Sequence, residues 1–150
     1  MSHSYVSNLM HYTFSTRERL PFIDPGLESR LWPYLGGIAK ANAMKALAIG
    51  GTEDHIHSLL SLPATMSVAK AVQLIKGGSS KWIHDNFFQH QKFAWQEGYG
   101  AFSVSASQVK KTISYIQNQK EHHRKKTFQE EFLEFLIKHG VEYDPRYLFR

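Results

Sequence analysis

Two histidines one residue apart, in Asp54-His55-Ile56-His57, offer two imidazoles to one point if the segment is extended, because a strand projects residues i and i+2 from the same face. Sixty residues beyond His55, Tyr115 and Gln119 stand four apart in a helical stretch, a spacing that also puts two side chains on one face. If the two faces meet, the site holds two imidazoles, one amide oxygen and one phenol. That set suits a divalent metal beside a tyrosine nucleophile, and it points to phosphodiester chemistry. Neutral imidazole is a good ligand for divalent first-row metals, yet a His-x-His by itself is more often structural than metal-binding. Asp54 either orients a ligand histidine through its other ring nitrogen or serves the turn that precedes it.

Tyr115 carries more information than the histidines. Val109, Ile113 and Ile116 form the apolar stripe of its helix, and a residue two positions after Ile113 lies about 200° away around the axis. Tyr115 therefore points off that stripe, in a row with Gln108, Lys111, Gln119 and His122. A nucleophile and an ordinary surface tyrosine both fit there. Between Val109 and Lys126 lie six basic residues (Lys110, Lys111, Lys120, Arg124, Lys125 and Lys126) against one acid, Glu121, a surplus of five that equals the +5 of the whole chain. A solvated helix face and a phosphate-binding surface both account for such a run. Tyr115 inside it favours phosphate, with Lys110, Lys111, Arg124, Lys125 and Lys126 as candidate phosphate contacts.

The elements that must position these residues follow from pattern. A strand is expected from about Tyr5 to Phe14, rich in aromatic and β-branched residues. Asp24-Pro25 reads as an N-cap and first helical position, and Leu27, Leu31, Leu35 and Ile38 continue a helix to about Ala41 that Pro33 should kink. Met44 to Gly50 and His55 to Leu62 form a hairpin with the histidines just past its turn. Ser67 caps a second helix through Val68, Ala71, Val72 and Ile75, in which Gly77-Gly78 offers either backbone amides to a phosphate or close helix packing. A fourth strand falls within Phe93 to Val104, and Ser105 or Ser107 caps a third helix running to about His123. Phe128, Phe132, Phe135 and Leu136 make a fourth helix, ended near Gly140. Trp82 and Trp95 serve either base stacking or the core, burial being the commoner fate.

The order β-α-β-β-α-β plus two helices predicts an α+β fold: a ferredoxin/RRM-like antiparallel sheet covered on one face by helices, with two C-terminal helices. Such sheets also serve RNA-binding modules, so architecture alone selects no function. At 150 residues and 42% hydrophobic content the chain is expected to form a single domain, residues 1–150. No run approaches the roughly 18 to 20 apolar residues of a membrane span, and Met1-Ser2-His3-Ser4 lacks the character of a signal peptide. Cysteine is absent, which excludes disulfides and thiolate ligands. A cytoplasmic, nucleoid-associated protein is expected. No GxxxxGK[ST] loop is present and no nucleotide cofactor is expected.

Taken together, these residues resemble a known family. Asp54-His55-Ile56-His57 looks like the His-hydrophobic-His signature of HUH endonucleases, and Tyr115-Ile116-Gln117-Asn118-Gln119 looks like the tyrosine helix of their single-tyrosine transposases, those of the smallest bacterial insertion sequences. Lys76-Gly77-Gly78-Ser79-Ser80 and Tyr143-Asp144-Pro145-Arg146-Tyr147 match as well, so the similarity runs from Tyr5 to Arg150. The resemblance implies His55, His57 and Gln119 as ligands of Mg2+ or Mn2+ and Tyr115 as the nucleophile. It also implies single-stranded DNA hairpins at element ends as substrate. It implies a homodimer in which one subunit's tyrosine helix can complete the other's metal site. The residues His122-His123-Arg124-Lys125-Lys126, just after that helix, are read separately as a basic hinge that permits docking in either subunit. A host-domesticated REP-associated tyrosine transposase shares all of this chemistry. A catalytically silent single-stranded nucleic-acid-binding module shares the sheet alone. A histidine-triad hydrolase needs a third alternating histidine, and position 59 is leucine.

Overall fold

The computed structural model describes residues 4–149. Met1 to His3, where the reading about a signal peptide falls, and Arg150, where the family similarity ends, lie outside the described residues. Met10, Tyr12 and Phe14 alternate with His11, Thr13 and Ser15 along β1 (Leu9–Ser15), so this strand has an apolar face and a polar face, and both are buried. With β2 (Lys45–Gly51), β3 (His55–Ser61) and β4 (Gly100–Ser103) it forms a sheet of order β2-β3-β1-β4, every neighbouring pair antiparallel. The expected split βαβ arrangement is present. Residues 4–8 do not extend β1: the ladder with β3 starts at Leu9 opposite Ser61, Asn8 adds one backbone bond from Leu62 N at 2.9 Å, and Tyr5 is exposed.

α1 (Pro25–Ala41) and α2 (Val68–Asn86) cover one face, as expected. Leu27, Leu31 and Leu35 of α1 and Ala71, Val72, Ile75 and Ile83 of α2 bury Tyr12, Phe14, Ile56 and Leu60 of the sheet. Asp24 caps α1 through Leu27 N at 2.8 Å and Ser67 caps α2 through Lys70 N at 3.0 Å, each worth about 1 kcal/mol. α1 continues through Pro33. Gly78 serves packing rather than a phosphate, since a Cβ there would lie 3.0 Å from Ile38 Cδ1 of α1. Trp95 is buried in this core and Trp82 stacks on Tyr34, so neither is free for a base.

The opposite face is covered too, by the C-terminal helices. α3 (Val109–Gln117) sets Ile116 on Ala48 and Leu59, while α5 (Phe128–Lys138) sets Phe128, Phe132 and Leu136 on Phe102. The third helix does not run unbroken to His123: Asn118 interrupts it at φ −104° and ψ 25°, and the short α4 (Gln119–His122) follows. Neither Ser105 nor Ser107 caps α3, because residues 106–108 form a 3-10 turn and Gln108 stands at the cap with no side-chain bond. α5 is capped instead by a reciprocal pair, Thr127 with Glu130. Among the described residues no helix is long and apolar enough to cross a membrane.

Both C-terminal helices approach the sheet at glycines. A Cβ on Gly50 of β2 would lie 2.4 Å from the Ile116 carbonyl oxygen of α3, and one on Gly100 of β4 would lie 2.9 Å from the Phe132 ring of α5. Gly50→Ala is expected to destabilise the protein by about 1–3 kcal/mol, the cost of overpacking against backbone. Gly77→Ala, in mid-helix with nothing within 4 Å of the new carbon, is expected to stabilise it by about 0.5–1 kcal/mol. Urea unfolding followed by circular dichroism checks both, and equal midpoints for the two variants would refute the docking argument.

Candidate active site

The register of β1 and β3 sets His57 opposite Thr13 and His55 opposite Ser15, on the sheet face that α3 and α5 cover. Both histidines are fully buried. Their ring nitrogens are committed in different ways. His55 Nδ1 lies 2.7 Å from Asp54 Oδ1 and 2.9 Å from Thr52 Oγ1, so Asp54 serves the histidine rather than only the turn. His57 Nδ1 lies 2.7 Å from His11 Nε2, a diagonal neighbour on β1. Each ring therefore has a second group that fixes its orientation and leaves Nε2 aimed at the helices, the arrangement typical of histidine ligands.

From above, α3 and α4 lower Tyr115 and Gln119 onto the same point. Gln119 is 1% exposed; its Nε2 donates to the Tyr115 carbonyl at 3.3 Å, which turns Oε1 toward His55 Nε2 at 3.0 Å. In the tautomer that donates Nδ1–H to Asp54, His55 presents a lone pair to that amide oxygen. Two acceptors facing each other call for a cation between them. Tyr115 is half-buried, with its ring edge-on to His57, His11 and Phe135. Of its polar row, Gln108 and Lys111 stay exposed, while Tyr115 is half-covered by α5 and Gln119 is buried. The tyrosine helix docks on the sheet of its own chain.

The cluster also contains residues that the sequence motifs did not single out. Glu131 of α5 is 1% exposed, with Oε1 at 2.7 Å from His57 Nε2 and 3.1 Å from His123 Nε2, while Oε2 accepts the Tyr115 hydroxyl. His55, His57, His123 and Glu131 bring one donor atom each within 4.8 Å of one another. His123 Nε2 is buried without a well-directed hydrogen-bond partner. This donor set of imidazoles, an amide oxygen and a carboxylate fits a divalent metal. A sequence signal for Glu131 existed: it sits at i+3 from Phe128 and i−4 from Phe135, an acid inside an apolar stripe. His11 had only its place on the polar face of β1.

Electrostatics follow from burial. Burial pushes His57 down to about 4, outweighing the nearby Glu131 carboxylate, and burial with neighbouring His57 pushes His11 down as well. Burial raises Tyr115 and the adjacent Glu131 raises it further, so the phenol keeps its proton. Glu131 moves the other way. Burial alone would raise it, but contacts from His123, His57 and Tyr115 hold it well below the ordinary carboxylate value.

Of the basic residues, Lys111 lines two grooves that meet at Tyr115. One, of about 520 Å³, also includes His11, Phe102, Phe135 and Lys138; the other, of about 590 Å³, also includes Ser114, His122, Lys125 and Lys126. Lys110 is exposed on α3. Arg124 and Lys126 pair with Glu121 and Glu134, whereas Lys110, Lys111 and Lys125 enter no ion pair among the described residues.

A sheet bearing a buried His-x-His, faced by a helix-borne tyrosine and amide, defines a transposase fold of the HUH type. The family model described as "Transposase IS200 like" matches residues 4–119, and the chain belongs to that family. Two solved structures share the fold. A putative transposase from Deinococcus radiodurans R1 aligns at 22% identity and TM-score 0.66, over 79% of this chain and 96% of its own. A REP-associated tyrosine transposase bound to a REP hairpin aligns at 13% identity and TM-score 0.56, over 95% of this chain and 74% of its own. No curated protein matches the chain.

The low value of His57 has a consequence for stability. An unfolded histidine near 6.5 takes up a proton before the folded one at about 4, so acidification favours unfolding across that window. Glu131, depressed from 4.5, adds a loss at still lower pH. In chelator, the urea midpoint is expected to fall from pH 7 to pH 4, and His57→Gln to flatten that fall. A midpoint that rises on acidification would contradict the buried neutral imidazole.

Proposed function

We propose that this transposase cleaves and rejoins single-stranded DNA by transesterification, with Tyr115 as nucleophile and His55, His57 and Gln119 as ligands of Mg2+ or Mn2+. The observation that carries the reading is Tyr115 held edge-on against His57 at the junction of two basic grooves. A strand crossing from one groove to the other passes its backbone over the phenol. Lys111 lines both grooves and Lys125 the second; with Lys110 they supply charge to the phosphates, and Arg124 and Lys126 join them by exchanging carboxylate for phosphate partners.

Attack by the Tyr115 oxygen forms an O–P bond to the 5′ phosphate and breaks the P–O3′ bond. The phenol loses a proton and the departing 3′ oxygen gains one. The product is a 5′-phosphotyrosine that another 3′-OH can displace, which suits strand transfer better than degradation. When bound, the metal neutralises phosphate charge and stabilises the leaving oxyanion. The protein's share is orientation: Asp54 and Thr52 hold His55, His11 holds His57, and the Tyr115 carbonyl holds the Gln119 amide.

Hairpin DNA is the proposed substrate, supported by the family and by the neighbouring fold that is bound to a REP hairpin. A domesticated role beside palindromic repeats would use the same chemistry. A homodimer acting on nucleoid DNA in the cytoplasm follows from the family resemblance, and a monomeric mass at micromolar concentration would count against the dimer.

Labelled hairpin DNA incubated with Mn2+ and run on a denaturing gel is expected to give a protein–DNA adduct. Tyr115→Phe should abolish that adduct while largely sparing binding in a gel shift. An adduct of undiminished yield, or unchanged strand transfer, would move the nucleophile elsewhere; a wild type that binds the hairpin and forms no adduct would favour the silent-module reading. His57→Ala should lose cleavage, as should chelator; full-rate cleavage in chelator would end the metal reading.

A further inference from the structure

The family match ends at Gln119, yet Glu131 and His123 lie at the centre of the site. The two oxygens of Glu131 face different groups. Oε1 is 2.7 Å from His57 Nε2, 3.1 Å from His123 Nε2 and 3.7 Å from His55 Nε2. Oε2 accepts the Tyr115 hydroxyl and lies 3.5 Å from His122 Nε2. One oxygen thus faces the three imidazoles beside the Gln119 amide, and the other faces the nucleophile. No lysine or arginine pairs with Glu131 among the described residues, although its side chain is 1% exposed. A buried carboxylate without a fixed cation is costly to keep ionised.

Resting on the metal reading above, we propose that Glu131 is a bridging carboxylate: Oε1 is a further ligand of the metal held by His55 and His57, and Oε2 holds the Tyr115 hydroxyl beside it. Two imidazoles and an amide form a neutral donor set. Magnesium and manganese are hard cations that favour carboxylate oxygen, so Glu131 supplies the one anionic donor the expected set lacks. His123, with its buried Nε2 lacking a directed partner, is the adjacent donor. The assignment also gives α5 a task. Phe128, Phe132 and Leu136 anchor it on Phe102, and the same stripe carries Glu131 inward. The metal and the nucleophile are then coupled through a helix that lies outside the family-matched segment.

Titration calorimetry of Mn2+ into the full chain tests this, with circular dichroism as a check of folding. Wild type is expected to bind, His57→Ala to lose binding, and Glu131→Gln to bind about tenfold more weakly or worse. Glu131→Asp, which keeps the charge, should fall between wild type and Glu131→Gln. If wild type and His57→Ala bind alike, the metal reading fails and takes this proposal with it. If His57→Ala loses binding while Glu131→Gln binds as tightly as wild type or more tightly, Glu131 is not a ligand and only this proposal falls. Should Glu131→Gln not fold, the infrared difference spectrum of wild type with one equivalent of Mn2+, minus that of His57→Ala, decides. A displaced carboxylate stretch supports the ligand; an unmoved one overturns it.

Discussion

A carboxylate and several imidazoles share a space that solvent barely reaches, and the second face of the sheet is organised around keeping that arrangement tolerable. Removing such groups from water is expensive unless each finds a partner. Here the partners are one another: His11 to His57, His57 to Glu131, and Glu131 to the Tyr115 hydroxyl, with Asp54 and Thr52 closing the other end at His55. Burial keeps His57 and His11 neutral, and His11 Nε2 and Glu131 engage the two ring nitrogens of His57. The result is a polar seam under helices whose remaining contacts are aromatic and aliphatic.

The two faces of the sheet divide the labour. One is an ordinary apolar core, where capped helices bury leucine and isoleucine and hold the strands in register. That register sets the histidines side by side on the other face. The other face is shallow where it must admit backbone: Gly50 and Gly100 let α3 and α5 come closer than any side chain would allow. Close approach is what lets short groups such as Gln119 and Glu131 reach the imidazoles. The break at Asn118 contributes as well, because it re-aims Gln119 after Tyr115 has been set by α3.

Much of this was legible in the sequence, and the reasons are local. Asp24 and Ser67 announce their helices because a cap needs only its own next turn. The hairpin carries its histidines past a recognisable turn, and Tyr115 with Gln119 follows from helical spacing. Ser105 and Ser107 misled for the complementary reason: they have cap chemistry, but a 3-10 turn used that stretch and left the cap to Gln108. Residues 4–8 have strand composition but lie before the ladder, which begins at Leu9. His11 and Glu131 were missed as members of the site because their partner His57 lies 46 and 74 residues away in the chain, and His123 because Glu131 reaches it only once α5 packs over the sheet.

What the sequence determined by itself was the order of elements, the family, and the four residues whose spacing makes two converging pairs. Periodicity is a property of the backbone, so it survives without knowledge of neighbours. The tertiary structure decided which pairs converge, that the tyrosine helix docks on its own sheet, and that the second face is closed by α5. It also decided that an acid in an apolar stripe ends among imidazoles. Those outcomes depend on packing between segments tens of residues apart, where the energetics of burying a polar group are set by what arrives opposite it.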